Sequence, residues 1–431
     1  MLFDETYKLL QEETIQLEET TDEDGFPCED VNSLTKWVEQ KFSEILFKKD
    51  IDVKAINFSA YGASFVYIDS KGKMIAPLYS YLKPYPDQLK QKFYDTYGKE
   101  GKIARETASP ALGSLNSGMQ LYRMKYEKPE LFDEIAYAFH LPQYLSYVFA
   151  DFPVSEITSI GCHTGLWNFR KNKYHSWVTK EKIDKRFPFI IPSSSTIPTN
   201  FQGMELEIGV GLHDSSAALI PYLSLFHDPF VLISTGTWNI SLNPFNHTEL
   251  SDEELKQDCL CYLSYEGRPV KASRLFAGHE HDQNVKRLAA HFDKAVDAYK
   301  DIEYNDSLVN AERDIDIRFS EIDLNAFSNY DEAYHHLMRS IIQQQIRSTN
   351  LILKGTSVKK IFVDGGFGKN EVFMKMLGKS YPNMEVYAAT IAQASALGAA
   401  LAIHKTWNKN SLPANLIELK NYPDSKINYS V

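Results

Sequence analysis

The sequence predicts a two-domain α/β protein with a cleft between its halves, on three observations. The chain has 431 residues, too many for one ordinary hydrophobic core and enough for two. Short apolar runs bounded by turn residues alternate with longer segments of helical spacing, as strands feeding helices do. Around Phe187 to Gly203 several prolines and polar turn residues interrupt that alternation, which places a boundary near 200 and gives expected domains of 1–203 and 204–431.

In the first half, Ser33 is the expected cap of a helix, because Leu34, Trp37, Val38, Phe42, Ile45 and Leu46 recur at helical spacing. Val53 to Phe58 and Phe65 to Asp69 read as strands, and Ser70 to Lys73 turns the chain into a third from Met74 to Tyr81. The stretch from Pro129 to 150 is predicted helical. In the second half a short strand at Leu206 to Val210 precedes a turn at Asp214, and Phe230 to Ser234 forms the next strand. A long helix is expected over Glu332 to Leu353, where Tyr334, Leu337, Met338, Ile341, Ile342 and Ile346 share a face. Strand Ile361 to Asp364, turn Gly365 to Gly368, helix Asn370 to Ser380, strand Glu385 to Ala388 and helix Gln393 to His404 complete the order.

A net charge of -11 with no basic block argues against nucleic-acid binding, which needs many cations against phosphates. Small-molecule partners fit better. Cys28, Cys162, Cys259 and Cys261 do not show the usual zinc spacing and read as reduced thiols. The opening Met1 to Glu5 has no leader pattern, and no stretch approaches the roughly 18 apolar residues that span a bilayer. The expectation is a soluble, cytoplasmic protein with no membrane partner; a homodimer is compatible with the chain.

Two motifs carry chemistry. Gly211-Leu-His-Asp-Ser-Ser-Ala-Ala-Leu219 sets Asp214 at a strand-to-helix turn, where a carboxylate can take a proton from an alcohol or simply cap the helix. Ser234-Thr-Gly-Thr-Trp-Asn239 ends a strand with hydroxyls and unhindered amides, suited to phosphate oxygens or to an ordinary turn. His213 can bind a sugar hydroxyl or pack, and Ser215 stands beside the acid as a further candidate substrate contact. Gly365 and Gly366 follow a strand and permit a flat ring to approach the backbone, or serve only a tight turn. His279-Glu280-His281-Asp282 points its side chains in different directions and reads as a polar loop facing the cleft, with Gly278 letting a ligand approach. No metal ligand set is assigned.

These motifs at this spacing, with Asn370 and the small-residue run Ala394 to Ala400, resemble the FGGY carbohydrate kinases, nearest the rhamnulokinase and fuculokinase branch. Leu141 to Leu145, Glu156-Ile-Thr158 and Thr164-Gly-Leu166 resemble the family's first-domain pattern. The resemblance implies a ribonuclease-H-like, actin-type fold that holds sugar mainly in the first domain and ATP mainly in the second. It implies Asp214 as base, Thr235, Gly236 and Thr237 as phosphate contacts, and Gly365, Gly366 and Asn370 as adenosine contacts. Tyr61 and Gly62 would belong to a sugar-facing loop, and ATP and Mg2+ are the implied cofactors. The chain departs from the pattern at Ser64, where the branch carries an acid. It departs again at its start: the family opens with a strand, an Asp-x-Gly phosphate loop and a returning strand, and Leu2 to Asp4 resemble that strand's end. An incomplete first domain with an open sheet edge is therefore expected. The activity implied is ATP-dependent phosphorylation of a ketose such as L-rhamnulose or L-fuculose. A truncated pseudokinase that binds sugar or nucleotide without turnover is the alternative, and an actin-type or heat-shock-type ATPase shares the fold by analogy alone.

Overall fold

The computed structural model describes residues 1–309, 318–391 and 393–422. Helix α1, Val31–Leu46, starts on Asp30, whose carboxylate accepts from the amides of Asn32 and Ser33. Ser33 therefore lies inside the first turn and is not the cap. The acid two residues before Asn32 reaches the orphan amides of the first turn. Phe42 and Leu46 are the buried face of α1, set against Phe58, Phe149 and Ile208, with the Phe42 and Phe149 rings edge to face at 5.1 Å.

The strand expected over 53–58 is two short pieces, β1 (Ala55–Ile56) and β2 (Ser59–Ala60), followed by β3 (Phe65–Ile68). Met74 to Tyr81 forms no strand; single bridges at Ile68 to Met74 and Glu29 to Leu78 are its ladder contacts. The predicted helix over 129–150 is interrupted by β4 (Tyr137–His140), which pairs antiparallel with β3, before α2 (Leu141–Ala150). A four-residue apolar run has no period long enough to separate strand from helix, and β3 was available to pair with it. β5 (Thr196–Phe201) and β6 (Met204–Gly209) form a hairpin that lays β6 parallel to β1, and β7 (Leu212–His213) runs parallel to β2. The expected division at 203 thus falls in a hairpin turn, and pairing with first-half strands continues to His213.

Helix α3 (Asp214–Leu225) leads into the second half. Its sheet is built from β8 (Phe230–Thr235), β9 (Asn239–Asn243), β10 (Cys259–Leu263), β11 (Pro269–Leu275), β12 (Lys360–Asp364), β13 (Glu385–Thr390) and β14 (Glu418–Tyr422), around helices α4 (Ala277–Phe292), α5 (Tyr330–Leu353), α6 (Glu371–Ser380) and α7 (Ala394–Ala402). The strand order is β10-β11-β9-β8-β12-β13-β14, with β8, β12 and β13 parallel. Alternation along β8 sends Val231 and Ile233 toward α5 and α6, and Phe230 and Leu232 toward Tyr222 of α3, the period-two division that a sheet covered on both faces demands. Gly398 lets α7 cross α3 closely, since a Cβ there would lie 1.8 Å from the Ala217 carbonyl oxygen.

The halves are joined at β10, where the Cys261 amide donates to Ala108 O (2.8 Å) and the Leu263 amide to Gly161 O (2.9 Å). Among the described residues β1 and β2 are paired on one edge only. A cavity of about 960 Å³ borders them, lined also by Trp37, Val38 and Ile45 of α1 and Ala399 and Ala400 of α7. No described helix is long and apolar enough to cross a membrane.

Candidate active site

Asp214 is the first residue of α3, with His213 in the cap position making no side-chain cap bond. Its Oδ1 accepts from the adjacent Ser215 amide (2.5 Å) and the Ser215 hydroxyl (3.1 Å), not from the amides two and three residues on that a capping side chain serves. Oδ2 makes no hydrogen bond among the described residues, and the side chain is 43% exposed. A half-exposed carboxylate with one free oxygen at the start of a helix is placed to take a proton from a group outside the protein.

First-half residues hold that turn in place. Glu156 is buried without a cation, and burial pushes its pKa up. Its oxygens accept from the Thr158 amide (2.9 Å), the Thr158 hydroxyl (2.6 Å), the Ser159 amide (3.2 Å) and the Ser193 hydroxyl. The Thr158 oxygen in turn accepts from the His213 amide at 2.9 Å. Gly62 packs under His213: an added Cβ would lie 3.4 Å from its ring and 2.6 Å from Cys162 Sγ. Tyr61 donates to Glu29 Oε2 (2.8 Å) and meets Tyr81 edge to face at 5.8 Å. Burial first, then the charges of Glu29 and Asp214, hold the Tyr81 phenol above its usual range, so Tyr61, Tyr81 and Asp214 share one neighbourhood. Ser64 does not face it. Its hydroxyl is buried and donates to Tyr79 O at 2.7 Å.

The second cluster gathers at the ends of β8 and β12. Thr235 bridges to Gly365 in parallel register. Its hydroxyl donates to Asp364 O and accepts from the Phe367 amide at 3.0 Å. That hydroxyl is therefore engaged by the turn, with its one proton on Asp364 O. Gly236 and Thr237 are exposed; the Gly236 amide donates to Trp238 O (2.9 Å), and the Thr237 amide and hydroxyl make no hydrogen bond among the described residues. Gly278 is the first turn of α4, and a Cβ on it would lie 1.8 Å from Gly236 O. Close packing on the phosphate turn accounts for this glycine, and residues 279–282 are helical rather than a polar loop. Their outward turn is interrupted by His281, which is buried with Nε2 3.2 Å from the Tyr334 hydroxyl. Gly365, at φ +76, would likewise place a Cβ 1.9 Å from Thr235 O, whereas Gly366 has open space. Only Gly366 offers its missing side chain to a ligand. Asn370 caps α6 by accepting from the Phe373 amide (2.9 Å) and donates to Tyr334 Oη (2.7 Å), so its amide group is committed as well.

Tyr222, about two turns into α3, links the clusters by donating to Asp364 Oδ2 at 3.2 Å. Burial lifts the Asp364 pKa to about 6 against bonds from Ser234, Tyr222 and Thr235. Cys162, His163 and Tyr262 surround the His213 ring and were not singled out as site residues from sequence; Cys162 and His163 lie between the 156–158 and 164–166 motifs, and Tyr262 lies in a buried strand. The Thr237 amide and hydroxyl on an exposed glycine turn, and the open face at Gly366, suit a nucleotide phosphate and ring, which need donors and absent Cβ atoms.

Residues 1–213 match the family profile "FGGY family of carbohydrate kinases, N-terminal domain", and residues 227–312 match "Carbohydrate kinase FGGY, C-terminal domain". Among solved structures, a carbohydrate kinase from Novosphingobium aromaticivorans is similar at TM-score 0.74 and 20% identity, over 97% of this chain and 93% of that one. A ligand-bound xylulose kinase from Lactobacillus acidophilus superposes at 0.76 and 15% identity, over 94% and 86%. Plasmodium falciparum glycerol kinase with ADP does so at 0.71 and 14%, over 94% and 87%. At these identities the likeness establishes the fold, two α/β domains of the actin-like, ribonuclease-H-like sugar-kinase type. With both of its halves matched by profiles of one family, the chain belongs to the FGGY carbohydrate kinases.

Proposed function

We propose that this chain transfers the γ-phosphoryl group of ATP to a hydroxyl of a ketose, with residues 1–203 supplying most of the sugar contacts and 204–431 most of the nucleotide contacts. The observation that carries the reading is Asp214: a half-exposed carboxylate with Oδ2 free, fixed by first-half residues and joined through α3 to the Thr235–Gly365 turn. ATP would supply the phosphoryl group, and Mg2+ bound with it would offset the phosphate charge. Asp214 accepts the hydroxyl proton as the oxygen attacks, and Thr237 donates to the phosphate, which the side-chain-free backbone of Gly236 lets approach. Tyr61, Gly62, His213 and Ser215 position the sugar, while Gly365 holds the turn that leaves Gly366 open to the adenosine.

L-rhamnulose and L-fuculose are the sugars this reading favours, from the His213-Asp214 and Thr237-Trp238 pattern. D-xylulose, gluconate and glycerol belong in the same panel, because structurally similar proteins carry those names. In a coupled ADP-release assay one of these acceptors should give sugar-dependent turnover, and Asp214→Asn should lower kcat by about 10³-fold with KM little changed. Full turnover by the variant would refute the assignment of the base.

One observation favours a second reading, a protein that binds sugar or nucleotide without turnover. The strand pieces β1 and β2 present an unpaired edge to the 960 Å³ cavity, so the first-half sheet that backs the sugar loop is short on that side. Calorimetry showing ADP or sugar binding by a protein inactive on every acceptor would support it.

A further inference from the structure

Beneath the proposed sugar pocket lies a cluster of which the proposed phosphoryl transfer uses only His213. Ligand atoms of Cys162, His163 and His213 all lie within 4.8 Å of one another, and the three residues are 1%, 7% and 2% exposed. Neither ring nitrogen of His163 has a hydrogen-bond partner. An imidazole buried with both nitrogens unpaired is destabilising unless something reaches it.

Hydrogen bonding sets the tautomer of His213. The Ser216 hydroxyl donates its one proton to Leu263 O at 3.0 Å, so His213 Nδ1, 3.3 Å from the same oxygen, is the donor between them. Nε2 then carries a lone pair, and it sits 3.3 Å from Asp214 Oδ1. Two acceptors face each other beside an unpaired imidazole and a thiol. A proton on Nε2 would relieve the first conflict and leave His163 as it is, whereas a metal cation relieves both.

We propose that Cys162 Sγ, a nitrogen of His163 and Nε2 of His213 form a site for a borderline-soft divalent cation of the Zn2+ class, with the Asp214 carboxylate, outside the three-residue cluster but 3.3 Å from His213 Nε2, turning in as fourth ligand on binding. One sulfur, two imidazoles and a carboxylate match the donors and the number that Zn2+ takes in a tetrahedral site. Mg2+, which takes oxygen ligands in an octahedron, does not suit them. On binding, the Cys162 thiol, which now donates to Ser159 O at 3.3 Å, releases its proton to solvent and the sulfur–metal bond replaces it. The ion also occupies Asp214, so it inhibits the kinase. That consequence rests on the proposed function; the binding does not.

The test uses the chelator-treated 431-residue chain. Zn2+ titrated against a chromophoric chelator should bind at one ion per chain, and Co2+ should give a thiolate-to-cobalt absorption band in the near ultraviolet. Cys162→Ser should abolish the band and weaken Zn2+ by about 100-fold or more, as should His163→Gln; Cys259→Ser with Cys261→Ser should change neither. Where a variant melts early, an increase in melting temperature on adding Zn2+ to wild type but not to the variant carries the same information. Absence of the cobalt band in wild type, or equal Zn2+ affinity in wild type and Cys162→Ser, overturns the site. In the ADP-release assay micromolar Zn2+ should inhibit wild type and spare Cys162→Ser. If no acceptor is turned over, the cobalt band still reports the site, so failure of the kinase reading and of the metal site remain distinct.

Discussion

Asp364 shows how one buried group couples the site to pH. Its pKa rises from 3.8 to about 6 because burial disfavours the carboxylate more than Ser234, Tyr222 and Thr235 favour it. A raised acid contributes stability that is complete below the unfolded value, and that contribution is lost as pH climbs through the folded one. Above that window the native state carries a buried charge that costs up to about 3 kcal/mol. Asp364→Asn should therefore be more stable than wild type by up to that amount near neutral pH, with the gap closing toward about pH 4. Urea denaturation across that range measures it, and a gap independent of pH would show that lost bonds outweigh the charge. Thr235 teaches a related point. A hydroxyl at a strand end can be consumed by the turn it belongs to, and nothing in Ser234 to Trp238 reveals that Asp364 O and the Phe367 amide claim it.

Among the elements, α3 matters most, since it carries Asp214 at one end and Tyr222 toward the other and is held by α7 through glycine contact. Gly398→Ala would drive a Cβ into the Ala217 carbonyl and should cost about 1–3 kcal/mol as α3 shifts, read as a lower melting temperature together with a fall in kcat. Gly366→Ala meets open space; it should leave melting unchanged and weaken ADP binding in calorimetry. Unchanged ADP affinity would remove Gly366 from the nucleotide site. The long helix α5 and the β12–α6 unit were legible from periodicity, because each has enough residues to display its period. β4 was not: Tyr137 to His140 takes strand geometry from its partner Phe65 to Ile68, which is remote in sequence.

Across the full chain, stability is uneven. β8 and β12 are paired on both edges and covered on both faces, while β1 and β2 are paired on one edge and border the cavity. Backbone amides open more readily where neighbours are few. In hydrogen-exchange mass spectrometry, residues 55–60 should exchange well ahead of 230–235 and 360–364; equal protection would mean that the open edge is covered in solution. The exchange of residues 204–213 with the first half, seen in the pairing of β6 with β1 and β7 with β2, has the same long-range origin. A proline-rich stretch marks where a chain turns, not which sheet the next strand joins.

Local order along the chain was enough to establish two α/β halves, the family, and the segment that bears the acid, since spacing, glycine placement and apolar period are properties of neighbours in sequence. Which polar atoms stay free was a matter of folding. Asp214 keeps an open oxygen because His213 takes the cap position, Gly278 and Gly365 serve packing because β8 runs beneath them, and Cys162 and His163 meet His213 because a first-half turn docks on α3. Hydrogen bonds and close contacts are settled by distances in space, and residues a hundred positions apart set those distances only once both halves have packed.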